Sequence, residues 1–308
     1  MHRLSALAGL LLAGCLPPEE VPQDAGRCGA ADPLSASALM ADVEAFADPG
    51  LKGRAAGSAG EARAAALVEE RLACLGLETR QQPFSADGLS SVNVIGVLRG
   101  QHPALQREIV VIGAHLDHLG QDGNGVYRGA NDNASGLAVM LGVAAALAED
   151  PPDRTVVFIG FGAEEEGFLG SEHYVGHAPA DLPLSATRFM VNLDMVGTYG
   201  DQGGVNALHA LPGTPGRAVL DGLVGEFPEL DVFLGEPGAD SDHLLFCEAG
   251  IPTTFFFTED TRCYHQTCDT PDHLDAQGMA GIARLVAAFA EALADGDQSL
   301  DGPSGCER

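Results

Sequence analysis

Glu108-Ile109-Val110-Val111-Ile112-Gly113-Ala114 leads directly into His115-Leu116-Asp117-His118. The run is short, β-branched and apolar at successive positions. That composition predicts a strand buried on both faces, the kind found in parallel sheets. A histidine and an acid at its carboxyl end would then stand on the edge where open α/β sheets bind ligands. Two more runs repeat the arrangement: Thr155 to Phe161 precedes Glu164 and Glu165, and Phe189 to Leu193 precedes Asp194. Alanine-rich stretches, from about Leu137 to Ala148 and from about Ala276 to Ala294, read as helices. Alternating β-run and helix predicts an α/β chain whose sheet is covered on both faces. With 308 residues, 45% of them hydrophobic, one domain can bury a substantial core.

The strand ends deliver metal-binding chemistry. His115, Asp132, Glu165, Asp194 and His265 supply two imidazoles and three carboxylates, the donors zinc takes in tetrahedral or five-coordinate shells. They suffice for two ions if one carboxylate bridges, with a water shared between the metals. Asp132 is the natural bridge, because Gly129-Ala130-Asn131-Asp132-Asn133-Ala134-Ser135-Gly136 is a loop of small residues entering a helix, where free amides hold a carboxylate. The plainer alternative is that Asp132 caps that helix. In Ala163-Glu164-Glu165-Glu166-Gly167, neighbouring side chains diverge after a buried strand. Glu165 is read as ligand, Glu164 as general base and Glu166 as surface acid. Asp117, two residues after His115 on an extended segment, can accept the other imidazole proton. Tyr264, beside His265, can polarise a scissile carbonyl. His102, His173, His177, His209 and His273 read as surface or packing residues.

The ordered segments Gly113 to His118, Gly129 to Gly136, Phe161 to Ser171, Asn192-Leu193-Asp194-Met195, Ser241-Asp242-His243 and Tyr264-His265 resemble the motif series of metallopeptidase family 28, the co-catalytic zinc aminopeptidases and their carboxypeptidase relatives. Leu51-Lys52-Gly53-Arg54, followed by Gly57-Ser58-Ala59-Gly60, resembles its amino-terminal signature. The likeness runs from about Ala36 to Ala294. It implies a three-layer α/β/α sandwich with a mixed, mostly parallel central sheet. It also implies two Zn2+ per chain, one held by His115, Asp132 and Asp194 and the other by Asp132, Glu165 and His265. Glu164 would be the general base, Asp117 would orient His115, and a metal-bridging hydroxide would attack the amino-terminal peptide bond. Tyr264 matches the tyrosine that some branches use on the tetrahedral intermediate. In other branches that tyrosine precedes Ser-Asp-His, where this chain reads Glu236-Pro237-Gly238-Ala239-Asp240.

A net charge of −28, with Lys52 the only lysine, disfavours nucleic acid as a partner but identifies no substrate; peptides or proteins as substrates are what the resemblance implies. The basic start Met1-His2-Arg3, the apolar Leu4 to Leu12 and Leu12-Ala13-Gly14-Cys15 resemble a bacterial lipoprotein signal with lipid on Cys15. A simple secretory signal is the competing reading. The expected organisation is a signal over 1–14, a tether over 15–34, a catalytic domain over 35–295 and a flexible acidic tail over 296–308, exported and held at the cell envelope. Six further cysteines permit disulfides. A Cys263–Cys268 bridge would stiffen the His265 loop, and Cys28 with Cys306 would tie the chain ends. Rival functions are a two-zinc carboxypeptidase using Arg128, Arg188 or Arg262, a glutaminyl cyclase-like acyltransferase, and a non-catalytic metal-binding lipoprotein. The cyclase is disfavoured because all five ligands are present and tryptophan is absent.

Overall fold

A computed structural model of the chain describes residues 31–306, apart from 236, 237, 239 and 297. The expected signal segment, Cys15, most of the tether and Cys28 lie outside the described residues. The three apolar runs form β3 (Ile109–His115), β4 (Thr155–Phe161) and β5 (Thr187–Leu193), and every residue of β3 and β4 is buried. They are joined in one sheet by β1 (Glu78–Ala86), β2 (Leu89–Leu98), β6 (Val205–Leu208), β7 (Val232–Gly235) and β8 (Thr253–Phe257). The order across the sheet is β1-β2-β4-β3-β5-β8-β6-β7. Strands β4, β3, β5 and β8 run parallel to one another. The hairpin β1–β2 joins β4 antiparallel on one side, and β6 joins β8 antiparallel on the other, with β7 parallel to β6.

Strand alternation divides the core into two layers. Val110, Ile112, Ala114 and Phe158 face α1 (Ala36–Phe46), α2 (Ala59–Cys74), α3 (Gly136–Glu149), α5 (Pro215–Leu223) and α7 (Ala276–Ala294). Val111, Val157, Ile159 and Met190 face Tyr174 of α4 (Leu169–Gly176) and Phe246 of α6 (His243–Glu248). This is the expected α/β/α sandwich. Each fully buried Val, Leu, Ile or Phe contributes about 1.5–3 kcal/mol by leaving water. Helix α3 is apolar on all sides and buried along Gly136 to Ala144, so it is a central helix rather than a surface one.

Two local expectations change. Helix α3 begins at Gly136, whose amide bonds to Asn133 Oδ1 at 3.0 Å. Asp132 is therefore no cap, and its carboxylate is left for other work. The tail expected to be loose instead lies on the body. Leu300 is buried, the Gly305 carbonyl accepts from His209 Nδ1 at 3.0 Å, and Cys306 is bonded to Cys247 of α6 rather than to Cys28. Polar composition hid one apolar anchor and one covalent one. Among the described residues no helix is long and apolar enough to cross a membrane.

Candidate metal centre

Because four central strands run parallel, their carboxyl ends open on one edge of the sheet, and loops from each bring donors together there. His115 Nε2 lies 3.2 Å from Asp132 Oδ1 and 3.3 Å from Asp194 Oδ1. His265 Nε2 lies 3.1 Å from Asp132 Oδ2 and 3.2 Å from Glu165 Oε2. Asp132 thus turns one oxygen to each set. Zinc bonds of 2.0–2.2 Å in a tetrahedral shell separate neighbouring donor atoms by about 3.3 Å, so the imidazole-to-carboxylate separations in both triads are those such ions require.

Asp132 sits in an irregular turn over Ala130–Ser135, and the Asp132–Asn133 peptide is cis. The buried Asp269 carboxylate accepts the Asn131 and Asp132 amides at 2.7 and 3.1 Å, which pins this turn from beyond His265. The Glu164–Glu165 turn is held by buried polar side chains from three elements. Asp117 accepts the Glu164 and Glu165 amides at 2.9 and 3.2 Å, Glu61 of α2 accepts the Ala163 amide at 3.1 Å, and Asn93 of β2 accepts the Gly162 amide at 3.1 Å. Ser241 donates to Asp194 Oδ2 at 2.8 Å and leaves Oδ1 toward His115. A Cys263–Cys268 disulfide closes the loop that carries His265, as the spacing suggested. Asp260 accepts the Arg262 and Cys263 amides and is itself bonded to His273 Nε2 at 2.9 Å. His273, expected to be bland, braces this loop. Ala163, Met195 and His265 adopt left-handed φ of 54°, 55° and 56°. Non-glycine residues rarely do so, and these three turns stand where Glu164, Asp194 and His265 are aimed.

The centre holds a surplus of buried negative charge. Burial pushes the Glu164 carboxyl well above its ordinary range; His115 opposes this, and Asp194, Asp242 and Asp117 add to it. His265 is drawn up to about 10 by its bonds to Asp132 and Glu165. For His115, burial favours the neutral ring, yet Asp194 and Glu164 outweigh it and raise the pKa. Carboxylates that pull this hard on imidazoles form an environment that accepts divalent cations. A cleft of about 300 Å³ opens above the donors. Met195, Phe255 and Phe257 are apolar residues of its lining, Asp240 and Glu259 acidic ones. Tyr264 stacks on His265 at the mouth, half exposed, its hydroxyl pKa raised to about 12 by burial and by Asp132 and Glu165.

All five expected ligands, Glu164 and Tyr264 meet at this cleft or directly beneath it. Asp117 is there too, but its part differs. His115 Nδ1 faces the Asp117 backbone carbonyl at 3.2 Å, while the carboxylate, at 3.8 Å, serves the Glu164–Glu165 amides. Sequence alternation places two side chains on one side but cannot say which oxygen an imidazole meets. His118 was missed: its buried Nδ1 is 2.8 Å from Glu165 Oε1. The available signal was a second imidazole on the same strand end.

A model of peptidase family M28 matches residues 93–290, a span containing every donor above. The chain belongs to peptidase family M28. Aminopeptidase YwaD of Bacillus subtilis is 34% identical over 209 residues, covering 65% of this chain and 44% of that protein. The "Probable lipoprotein aminopeptidase LpqL" of Mycobacterium tuberculosis is 31% identical over 236 residues, covering 64% of this chain and 44% of its own length. The chain therefore spans about half the length of the curated relatives it matches. The solved structure of BSAP, a zinc aminopeptidase from Bacillus subtilis, has the same fold, with a TM-score of 0.73 at 19% identity over 90% of this chain and 100% of that one. Arg54 and Glu61 lie before the M28 match, yet both hold loops that carry its donors: Arg54 bonds to the Gly129 carbonyl at 3.0 Å, and Glu61 to the Ala163 amide.

Proposed function

We propose that this M28 chain is a zinc-dependent aminopeptidase acting on peptides. The observation that carries the reading is the pair of donor triads sharing Asp132 at the floor of an acidic cleft. His115, Asp132 and Asp194 would hold one Zn2+, and Asp132, Glu165 and His265 the other. When bound, the ions supply Lewis acidity that activates water and polarises the scissile carbonyl. Glu164 takes the proton of the attacking water on its carboxylate and returns it to the departing amine nitrogen. Tyr264 keeps its proton at neutral pH and donates a hydrogen bond to the carbonyl oxygen as that atom becomes negative.

The cleft favours a substrate's free amino end over its carboxylate. No arginine or lysine lines it among the described residues, whereas Glu164, Asp194, Asp240 and Glu259 do. The arginines a carboxypeptidase would need are engaged elsewhere. Arg128 donates to the Ala47 carbonyl at 2.7 Å, Arg188 pairs with Glu108 at 3.5 Å, and Arg262 pairs with Asp201 at 3.5 Å. A panel of aminoacyl nitroanilides tests the reading. Free-amine substrates should be cleaved and their N-acetylated forms left intact, with about two zinc ions per chain by atomic absorption. Cleavage of blocked substrates, or release of carboxyl-terminal residues from acyl dipeptides, would replace it.

The amino-terminal pattern ending in Cys15, together with the name of the mycobacterial relative, supports export and lipid anchorage. The expected result is that wild type partitions into the detergent phase and Cys15→Ser into the aqueous phase. Equal partitioning of the two would remove the anchor.

A further inference from the structure

Glu165 has its two oxygens taken by two different imidazoles. Oε2 faces His265 Nε2 at 3.2 Å within the Asp132–Glu165–His265 triad, and Oε1 meets His118 Nδ1 at 2.8 Å on the far side. We propose that His118 is a positioning residue which grips Glu165 by one oxygen, so that this half of the centre takes a small, four-coordinate divalent cation through the other. The inference rests on the two-cation reading above.

The tautomer follows from the surroundings. A carboxylate oxygen can only accept, so the short contact requires the proton on Nδ1. Nε2 is buried with no partner. The opposite tautomer would bury an N–H with no acceptor and set two lone pairs against each other at 2.8 Å. The ring has no freedom to leave. Its side chain is fully buried, its backbone amide bonds to the Arg54 carbonyl at 3.2 Å, and its edge meets the His265 ring at a centroid distance of 5.8 Å. Gly129 makes room for it, since a Cβ there would come within 2.6 Å of His118 Cδ2. Gly129 also has φ +58°, so a side chain is excluded twice.

Holding Oε1 on His118 prevents Glu165 from closing both oxygens on one ion. Larger cations such as calcium take bidentate carboxylates in flexible shells of six to eight oxygens, whereas zinc is satisfied by single oxygens in a tetrahedron. The Nδ1–H bond also fixes the direction from which Oε2 meets the cation, as outer hydrogen bonds do in metal sites generally. His118 lies 3.6 Å from Asp132 Oδ2, outside hydrogen-bond reach of the bridge itself. Its donor atom also lies within 4.8 Å of those of Asp132 and Glu165, so its grip falls first on the cation that Glu165 serves, and whether it is itself a ligand is decided by counting imidazoles at the metal.

The test is calorimetric titration of the metal-free purified protein with zinc, in wild type, His118→Ala and His118→Asn. Wild type should show two binding events. In His118→Ala one of them should weaken by about 10- to 100-fold while the other is kept. His118→Asn, whose amide hydrogen can reach Glu165, should recover most of the loss. X-ray absorption should count the same number of imidazoles per zinc in wild type and His118→Ala. Unchanged affinity in His118→Ala, an equal loss at both sites, or loss of an imidazole from the zinc shell would overturn the positioning role. Fewer than two zinc ions on wild type would reject the two-cation reading itself, and this role with it.

Discussion

Glu164→Gln should lower kcat by about 10²- to 10⁴-fold, the range for removing a general base, while KM and zinc content stay near wild type. The substitution keeps the size and hydrogen-bonding reach of the side chain but removes its capacity to take a proton. Glu164 belongs to neither of the triads built around Asp132, and its position is set by its backbone: Asp117 Oδ1 accepts its amide at 2.9 Å, and the preceding Ala163 is held in a left-handed turn. Only nine per cent of the residue is exposed, which leaves it facing the cleft and little else. Its surroundings favour the protonated form, through burial first and then the charges of Asp194 and Asp242, against His115. Divalent cations held beside it would oppose that shift and leave the carboxylate ionised to take a proton. A rival assignment exists, since donor atoms of His115, Glu164 and Asp194 all lie within 4.8 Å of one another. If Glu164 were a ligand, Glu164→Gln would lose zinc along with activity. Glu165→Gln supplies the contrast, because it should lose zinc from the side that His265 serves. Steady-state kinetics and atomic absorption on the two variants separate the roles.

The parts of this centre visible in the sequence are those whose signal is local. The apolar cores of these strands, 109–114 of β3, 156–161 of β4 and 189–191 of β5, are buried on both faces and carry no polar side chain, which marks them without knowledge of their neighbours. Donors directly after such runs are legible for the same reason, and so is Asp132 in its loop of small residues. What the sequence did not reveal is set by contacts between distant segments. Asp269 reaches back to Asn131 and Asp132, Glu61 supports Ala163, and Ser241 holds Asp194. Each is an ordinary polar residue in its own neighbourhood, and its meaning appears only when another element arrives. The left-handed turns at Ala163, Met195 and His265 carry no glycine to announce them. Strand β1 was not anticipated either, since its residues Glu78 to Gln82 are polar and only Phe84 is buried. Pairing with β2 along the sheet's margin, rather than burial, keeps it extended.

Arg54 carries the largest expected effect on stability. Arg54→Met should lower the unfolding free energy of the metal-free protein by about 3–5 kcal/mol, the cost of stripping one partner from a buried charged network. The guanidinium is fully buried and bonds to carbonyls rather than to a carboxylate: Leu116 at 2.9 Å, Phe46 at 2.7 Å, Arg128 at 2.8 Å and Gly129 at 3.0 Å, with Asp132 at 3.5 Å. These carbonyls belong to the end of α1, the segment after His115 and the loop that presents Asp132. Burial lowers the Arg54 pKa, and the carboxylates of Asp132, Asp269, Asp117 and Glu165 oppose that shift; an arginine stays charged in such a setting. One side chain therefore ties three backbone segments together and offsets the charge of the acids above it. The chain accepts strain to place it. Lys52, Gly53 and Arg54 all have positive φ, and a Cβ at Gly53 would collide with the Gly120 and Tyr127 carbonyls. Arg54→Lys should lose less, about 1–3 kcal/mol, because an ammonium keeps the charge but cannot spread its donors over four or five carbonyls in a plane. Urea unfolding reads both variants through the midpoint at constant slope. If Arg54→Met unfolds at the wild-type midpoint, the carbonyls are satisfied without it, and the Asp132 loop is held by Asp269 and by the bonds of Asn131, Asn133 and Ser135 to β5 and the segment after it.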